Sequence, residues 1–225
     1  MSTTCFRSSI VGSPESRCEA VQLNAVNAAA FAALLQVLSC GEESAALTFD
    51  RLADACHERT MRSILAGIAV DEREHQILLA GLRVSLPRPP EDRSLEATMR
   101  RFFMRLADRD LLVHLVRIVA IDSAMCRILG ALRRPGKPLA SDPRVSATLQ
   151  RIHRDEARHV AIASRCATPL LESIRGREIV MDARERLITV LQLRAGSLDS
   201  LSVDSDRLFM RLRTLPRSFR TTDAR

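Results

Sequence analysis

Two stretches of this sequence repeat a pattern of residues that can bind metal ions. They are Asp71–His75, which reads Asp-Glu-Arg-Glu-His, and Asp155–His159, which reads Asp-Glu-Ala-Arg-His. Each contains Glu-x-x-His, and residues three apart lie on the same face of an α-helix. A glutamate and a histidine placed in this way can hold one metal ion together in the core of a four-helix bundle. The repeat therefore predicts a metal centre, provided that other helices supply further carboxylates.

The helices expected to position this centre each carry one carboxylate in an apolar stripe. Apolar residues recur at three- and four-residue spacing, which predicts amphipathic helices, over about residues 19–56, 61–84, 95–132 and 143–167. The polar residues in these stripes are Glu42, Glu72, Asp122 and Glu156. A buried carboxylate is costly unless a cation compensates its charge. Four carboxylates with the neutral imidazoles of His75 and His159 balance two divalent ions, so the sequence predicts a site for two.

Several features of this ligand set stay open at the level of sequence. Glu43 is adjacent to Glu42, so the helix phase decides which one faces the ions. Asp122 has a shorter side chain than a glutamate and reaches less far. His153, one turn before Glu156, is a candidate seventh ligand or a residue at the rim of the site. A buried Glu–His cluster can also be a hydrogen-bonded network without a metal.

The order and spacing of these residues resemble the ferritin-like di-iron carboxylate proteins. The resemblance covers about residues 30–167, and Asp122 stands where most of that family has glutamate. The spacings, 30 residues from Glu42 to Glu72 and 34 from Asp122 to Glu156, are most similar to oxygen-activating members. Those are the bacterial multicomponent monooxygenases and the ribonucleotide reductase small subunits. His153 is similar to an additional ligand histidine of the arylamine N-oxygenases.

This resemblance implies a fold, a cofactor and an activity. The expected fold is all-α, a ferritin-like four-helix bundle with an additional C-terminal helix. The expected cofactor is two iron ions, with manganese as an alternative, which activate O₂ to oxidise a small organic substrate. The residues expected to take part in catalysis are Glu42, Glu72 and Glu156. Asp71, Asp155 and Arg158 are expected beside the metal ligands. Carboxylates in such positions orient metal-bound histidines.

Composition bears on the competing functions. The net charge is +7, which argues against an iron-storage cage with an acidic inner surface, although a ferroxidase or a manganese catalase stays an alternative. A tRNA-modifying di-iron hydroxylase would use the arginine-rich surface, but the chain has no Trp or Tyr on which bases stack. Nucleic acid is therefore not an expected partner. Electrons would come from an external donor protein or reductant, because the sequence has no flavin or nicotinamide fingerprint. A homodimer is compatible with the sequence.

Three regions are expected along the chain. Residues 1–17 form a flexible arm, residues 18–195 the helical bundle, and residues 196–225 an extension that ends in an arginine-rich tail. The third helical region is expected to bend or break near residues 108–110, and later helices are expected over about 177–194 and 207–212. No apolar run of membrane-spanning length is evident, and the six cysteines form no Cys-x-x-Cys pair, so a cytoplasmic protein with reduced thiols is expected.

Overall fold

The computed structural model describes residues 21–89 and 93–214, and these residues form helices and no strands. The all-α prediction is therefore confirmed. The helices are α1 (Ala25–Ala55), α2 (Arg59–Arg83), α3 (Arg93–Leu106), α4 (Leu111–Leu132), α5 (Pro138–Ser141), α6 (Pro143–Leu171), α7 (Ile174–Gln192), α8 (Ala195–Ser200) and α9 (Ser205–Arg213). The predicted arm, residues 1–17, and the end of the arginine-rich tail lie outside the described residues.

Side-chain caps explain where the helices of the site begin. Asp110 accepts a hydrogen bond from the Leu112 backbone N–H at 2.9 Å, which starts α4 and separates it from α3. The predicted break near residues 108–110 is thus confirmed, and the third helical region is two helices. Asp142 accepts from the Val145 backbone N–H at 2.8 Å, with Pro143 in the first turn of α6, as the sequence indicates.

Two pairs of long helices enclose the core. α1 packs along α2, α4 packs along α6, and the two pairs meet through contacts such as that of α2 with α6. α7 packs on α4, and α3 lies across α1 and α7. Large apolar side chains such as Phe31, Leu34, Leu35 and Phe49 are fully buried between these helices. The bundle therefore has a continuous apolar interior into which the polar residues of the stripes project.

The C-terminal helices are tied to the bundle by a buried arginine. Arg184 of α7 is 1% exposed and donates hydrogen bonds to the Ala120 carbonyl of α4, at 3.3 Å, and to the Leu212 carbonyl of α9, at 3.0 Å. The same guanidinium donates to the hydroxyl of Ser123 at 2.7 Å. The short helix predicted near residues 207–212 is present as α9, whereas α5 and α8 were not predicted.

One helix has the length and composition of a membrane span. Among the helices of residues 21–89 and 93–214, this is α1, judged by length and hydropathy alone. The expectation that no run is long and apolar enough is therefore wrong for α1. Core helices of soluble proteins pass the same test, and apolar side chains of α1 such as Phe31, Leu34 and Leu35 fill the core of the bundle.

The corner between α6 and α7 depends on a glycine. A Cβ atom added at Gly176 would lie 1.9 Å from the Leu170 carbonyl oxygen and 2.6 Å from its carbon. Gly67, in the exposed middle of α2, has nothing within 4 Å of an added Cβ among the described residues. We expect Gly176→Ala to lower the free energy of unfolding by about 2 kcal/mol or more, because the backbone must move.

Urea denaturation followed by circular dichroism measures this effect. The matched control is Gly67→Ala, which should leave stability unchanged or raise it by up to about 1 kcal/mol through helix propensity. Equal stability of the two variants would contradict the close approach at the α6–α7 corner.

Candidate metal centre

Six buried polar side chains from four helices meet in the interior of the bundle, each at most 7% exposed. They are Glu42 of α1, Glu72 and His75 of α2, Asp122 of α4, and Glu156 and His159 of α6. Their possible ligand atoms form two groups, within each of which all atoms lie within 4.8 Å of one another. The first group is Glu42, Glu72, His75 and Glu156, and the second is Asp122, Glu156 and His159. The structure thus brings together every residue singled out in the four stripes.

Two glutamates lie between the two histidines: Glu156 belongs to both groups, and Glu72 belongs to the first group and also contacts His159 of the second. The two carboxylate oxygens of Glu72 lie 3.4 Å from His75 Nδ1 and 3.3 Å from His159 Nδ1. The two oxygens of Glu156 lie 3.9 Å and 3.8 Å from the same two nitrogens. Each glutamate therefore presents one oxygen to each histidine, which is the arrangement that a bridging carboxylate needs.

Glu42 and Asp122 each lie in one group. Glu42 Oε2 lies 3.1 Å from His75 Nδ1, and Glu42 is buried whereas Glu43 is exposed. The helix phase thus places Glu42, not Glu43, in the interior. Asp122 joins Glu156 and His159 in the second group in spite of its shorter side chain.

The outer nitrogen of each histidine faces an aspartate of the opposite motif. His75 Nε2 lies 3.4 Å from Asp155 Oδ2, and His159 Nε2 lies 3.1 Å from Asp71 Oδ2. Both aspartates were expected beside the histidines, and these contacts are present. A carboxylate in this position fixes the orientation of the ring and keeps Nδ1 directed at the interior carboxylates.

Two arginines hold these aspartates in turn. Arg158 Nη2 donates to Asp71 at 2.6 Å and to Asp155 at 3.1 Å, which agrees with its expected place beside the ligands. Arg151 Nε donates to Asp155 at 2.7 Å, and its Nη2 donates to Glu74 at 2.9 Å. Sequence reasoning missed Arg151, although its position four residues before Asp155 is the spacing of a helical ion pair. Both arginines are about half exposed, so they orient the carboxylates more than they stabilise the fold.

Burial and neighbouring charges shift the pKa values of the four carboxylates in the cluster. Burial raises the pKa values of Glu42, Asp122 and Glu156, since it disfavours their charged forms. Burial also acts on Glu72, but the nearby imidazoles of His159 and His75 outweigh it and hold its pKa far below the ordinary value.

The two histidines respond in the opposite sense. Burial alone would lower their pKa values, but the surrounding carboxylates outweigh it. Glu42 and Glu72 raise the pKa of His75 to about 11, and Glu156 and Glu72 raise that of His159 to about 11. In the absence of a metal both rings are therefore charged at neutral pH.

Hydrogen bonding within the cluster is incomplete in a way that suits a cation. Asp122 Oδ2, Glu156 Oε2 and His159 Nδ1 are buried and have no hydrogen-bond partner within the described part of the chain. Buried polar atoms are nearly always paired, so each such atom calls for a physical explanation. All three belong to the second ligand group. Carboxylate oxygens and imidazole nitrogens are ligands for divalent iron and manganese, so the residues present fit a metal pair.

His153 lies outside both ligand groups formed by the described residues. It is partly buried, and burial together with the nearby charge of Arg133 lowers its pKa. A helix turns by about 100° per residue, so His153 lies about 60° around α6 from Glu156 and about 120° from His159. Binding of a metal ion by His153 therefore stays a prediction, and this geometry does not support it. His57, expected at an exposed turn, is exposed.

A narrow cavity of about 60 Å³ adjoins the cluster. It includes Glu42, Glu72, Asp122 and Glu156, and its remaining wall is mainly apolar, with side chains from α1, α3, α4 and α7. Phe103 and Leu106 of α3 cover one side of it. The sequence does not predict that α3 lines the cavity, because the apolar stripe of α3 contains no residue that could bind a metal.

Comparison with family models, with curated proteins and with solved structures finds no match for this chain.

Proposed function

We propose that this protein binds two divalent ions, iron or manganese, and uses them with O₂ to oxidise a small organic molecule. One observation carries the proposal. Two glutamates, Glu72 and Glu156, each present one oxygen to His75 and the other to His159. A single ion would need only one oxygen of each glutamate, whereas two ions side by side would use both.

The ligand assignment follows from the two groups. Glu42 and His75 would bind one ion, Asp122 and His159 the other, and the two spanning glutamates would bridge them. Iron or manganese held there supplies the electron transfer and O₂ chemistry that amino-acid side chains lack. Four carboxylates with two neutral imidazoles give the loaded cluster no net charge, which suits a buried site.

The surrounding residues would orient the ligands and exclude water. Asp155 and Asp71 hold the outer nitrogens of the two histidines, and Arg151 and Arg158 hold those aspartates. The apolar wall of the cavity would keep an organic substrate beside the cluster and reduce the access of water.

The proposal includes a ferritin-like arrangement of α1, α2, α4 and α6. It is supported by the sequence resemblance and by the fact that each of these helices contributes a carboxylate to one cluster. An external reductant would supply electrons. The cavity is mainly apolar, so it suits an organic substrate. It suits less well the substrates of the alternatives, which are metal ions for a ferroxidase, peroxide for a manganese catalase and a polyanion for a tRNA hydroxylase.

Metal analysis tests the proposal directly. Protein loaded anaerobically with ferrous iron, or with Mn²⁺, and then desalted should retain about two ions per chain. Iron-loaded protein should then consume O₂ when a reductant is present, as followed with an oxygen electrode. Retention of no ion under either condition would overturn the proposal. Retention of manganese with rapid disproportionation of peroxide and no oxidation of organic molecules would favour the catalase alternative.

A further inference from the structure

A histidine outside the cluster, His114, lines the same cavity. His114 of α4 is 2% exposed, and neither of its ring nitrogens has a hydrogen-bond partner among the described residues. The backbone of Leu106 lies near enough to favour the charged ring slightly, but it makes no hydrogen bond of acceptable geometry. Edge contact with Phe49, at 5.6 Å between ring centroids, fixes the ring. A neutral imidazole has one donor and one acceptor nitrogen, and leaving both unpaired in the interior is costly.

His114 lies at a distance from the cluster. It precedes Asp122 by eight residues of α4, which is about 12 Å along the helix axis. Thr48 of α1 also lines the cavity, and it is the neighbour in sequence of Phe49, whose ring contacts His114. Thr48 is 8% exposed, and its hydroxyl donates to the Ser44 carbonyl at 2.8 Å, so its oxygen remains free to accept. This end of the cavity therefore offers an imidazole and a hydroxyl acceptor.

Among the described residues, the cation that lines this end of the cavity is Arg117, and it is already engaged. Arg117 pairs with Asp108 at 3.0 Å and donates to the Leu106 carbonyl at 3.1 Å, so it secures the corner between α3 and α4. Burial and the charge of Arg117 lower the pKa of His114 to about 4, so the ring is neutral at neutral pH. The described residues that line this end therefore offer no available positive charge to a carboxylate or phosphate group.

We propose that His114 and Thr48 bind the hydroxyl group of a small, uncharged and otherwise apolar substrate. The imidazole N–H donates to the substrate oxygen, and the substrate O–H donates to Thr48 Oγ1. The apolar part of the molecule then extends along the cavity toward the carboxylate cluster. The cavity, of about 60 Å³, has room only for a small molecule of a few non-hydrogen atoms. The inference rests on the proposed function for the reaction itself, but the binding can be measured without metal.

Binding of 1-butanol to the full-length protein tests this inference. The comparison ligands are its isomer 1-methoxypropane, which cannot donate a hydrogen bond, and butanoate, which is charged. Long-range ¹H–¹⁵N spectra of the histidine rings report the binding, and the His114 signals are assigned from their loss in His114→Phe. We expect 1-butanol to shift the His114 ring nitrogens and to bind more tightly than either comparison ligand.

Two pairs of variants give the control. His114→Phe keeps a ring against Phe49 and should weaken 1-butanol binding about fivefold, whereas His57→Phe, on the surface, should not. Thr48→Val should remove the preference for 1-butanol over its isomer. Thr189→Val is its match, because the exposed Thr189 makes the same type of bond, to the Glu185 carbonyl at 3.0 Å.

The outcomes separate this inference from the proposed function. Unchanged 1-butanol binding in both His114→Phe and Thr48→Val, or tighter binding of butanoate, overturns the inference. The metal content of the same variants should equal that of the wild type, because neither residue belongs to the ligand groups. If Thr48→Val loses the preference for 1-butanol and the wild-type protein binds no metal, the alcohol site is supported and the metal centre is rejected.

Discussion

Replacing Glu156 by glutamine is expected to remove both metal ions and abolish O₂-dependent oxidation. The reason is geometric, since the two oxygens of Glu156 lie at 3.9 Å from His75 Nδ1 and 3.8 Å from His159 Nδ1. Glutamine has the same shape but carries no charge and has only one oxygen ligand. The same result is expected for Glu72→Gln, because Glu72 spans the same two nitrogens.

The terminal carboxylates should behave differently. Glu42→Gln is expected to weaken the ion beside His75, and Asp122→Asn the ion beside His159, so that each variant retains about one ion per chain. Measuring both pairs of variants therefore tests which carboxylates bridge. Metal analysis after anaerobic loading, with O₂ consumption measured on the same samples, gives the readout.

Glu74→Gln is the matched control for these variants. Glu74 lies two residues after Glu72 on α2, is half exposed and pairs with Arg151 at 2.9 Å outside the ligand groups. It should retain about two ions and full activity. Circular dichroism establishes that each variant is folded. A Glu156→Gln protein that is helical and still holds two ions would show that Glu156 is not a bridge.

The helical period explains why the interior of the site could be predicted from sequence. A side chain in an apolar stripe must point into the core, so Glu42, Glu72, Asp122 and Glu156 had to be buried once their helices packed together. The structure fixes the phase of α1, so that Glu42 is buried and Glu43 is exposed, a choice that the sequence left open. It also explains why His153 lies outside the ligand groups, since a residue three positions before Glu156 is displaced around the helix on the side away from His159.

Contacts between distant segments were beyond sequence reasoning. The sequence places an aspartate before each Glu-x-x-His motif, but it does not show that Asp71 contacts His159, 88 residues away, or that Asp155 contacts His75. Such pairings are decided by how α2 and α6 pack. The incomplete hydrogen bonding of His114 likewise depends on the position of α3 and its corner with α4.

Metal binding is expected to compete with protons, and its affinity should rise steeply with pH. In the metal-free protein the pKa values of His75 and His159 are raised to about 11, so both rings carry a proton at neutral pH. A ring must lose its Nδ1 proton before that nitrogen can bind an ion. Binding of two ions should therefore release at least two protons between about pH 7 and pH 10. The affinity for the pair of ions should increase about a hundredfold for each pH unit in this range.

The same shifts fix how the stability of the metal-free fold depends on pH. A histidine pKa that is raised by folding stabilises the fold fully below the unfolded value, about 6.5. This stabilisation falls as the pH rises through the folded value, so metal-free protein should lose stability toward about pH 11. Metal-loaded protein should not lose it in that range, because its imidazoles are already neutral. The gap in denaturation temperature between the two forms should therefore widen as the pH increases.

Calorimetric titration with Mn²⁺ in buffers of different ionisation enthalpy measures the released protons. His57→Gln is the control for histidine content, because His57 is exposed and lies outside both ligand groups, and it should release as many protons as the wild type. Release of fewer than one proton for each pair of ions, with an affinity that does not change from pH 7 to pH 9, would mean that the rings are neutral before the metal binds. The carboxylates around His75 and His159 would then share their protons with one another instead of with the imidazoles.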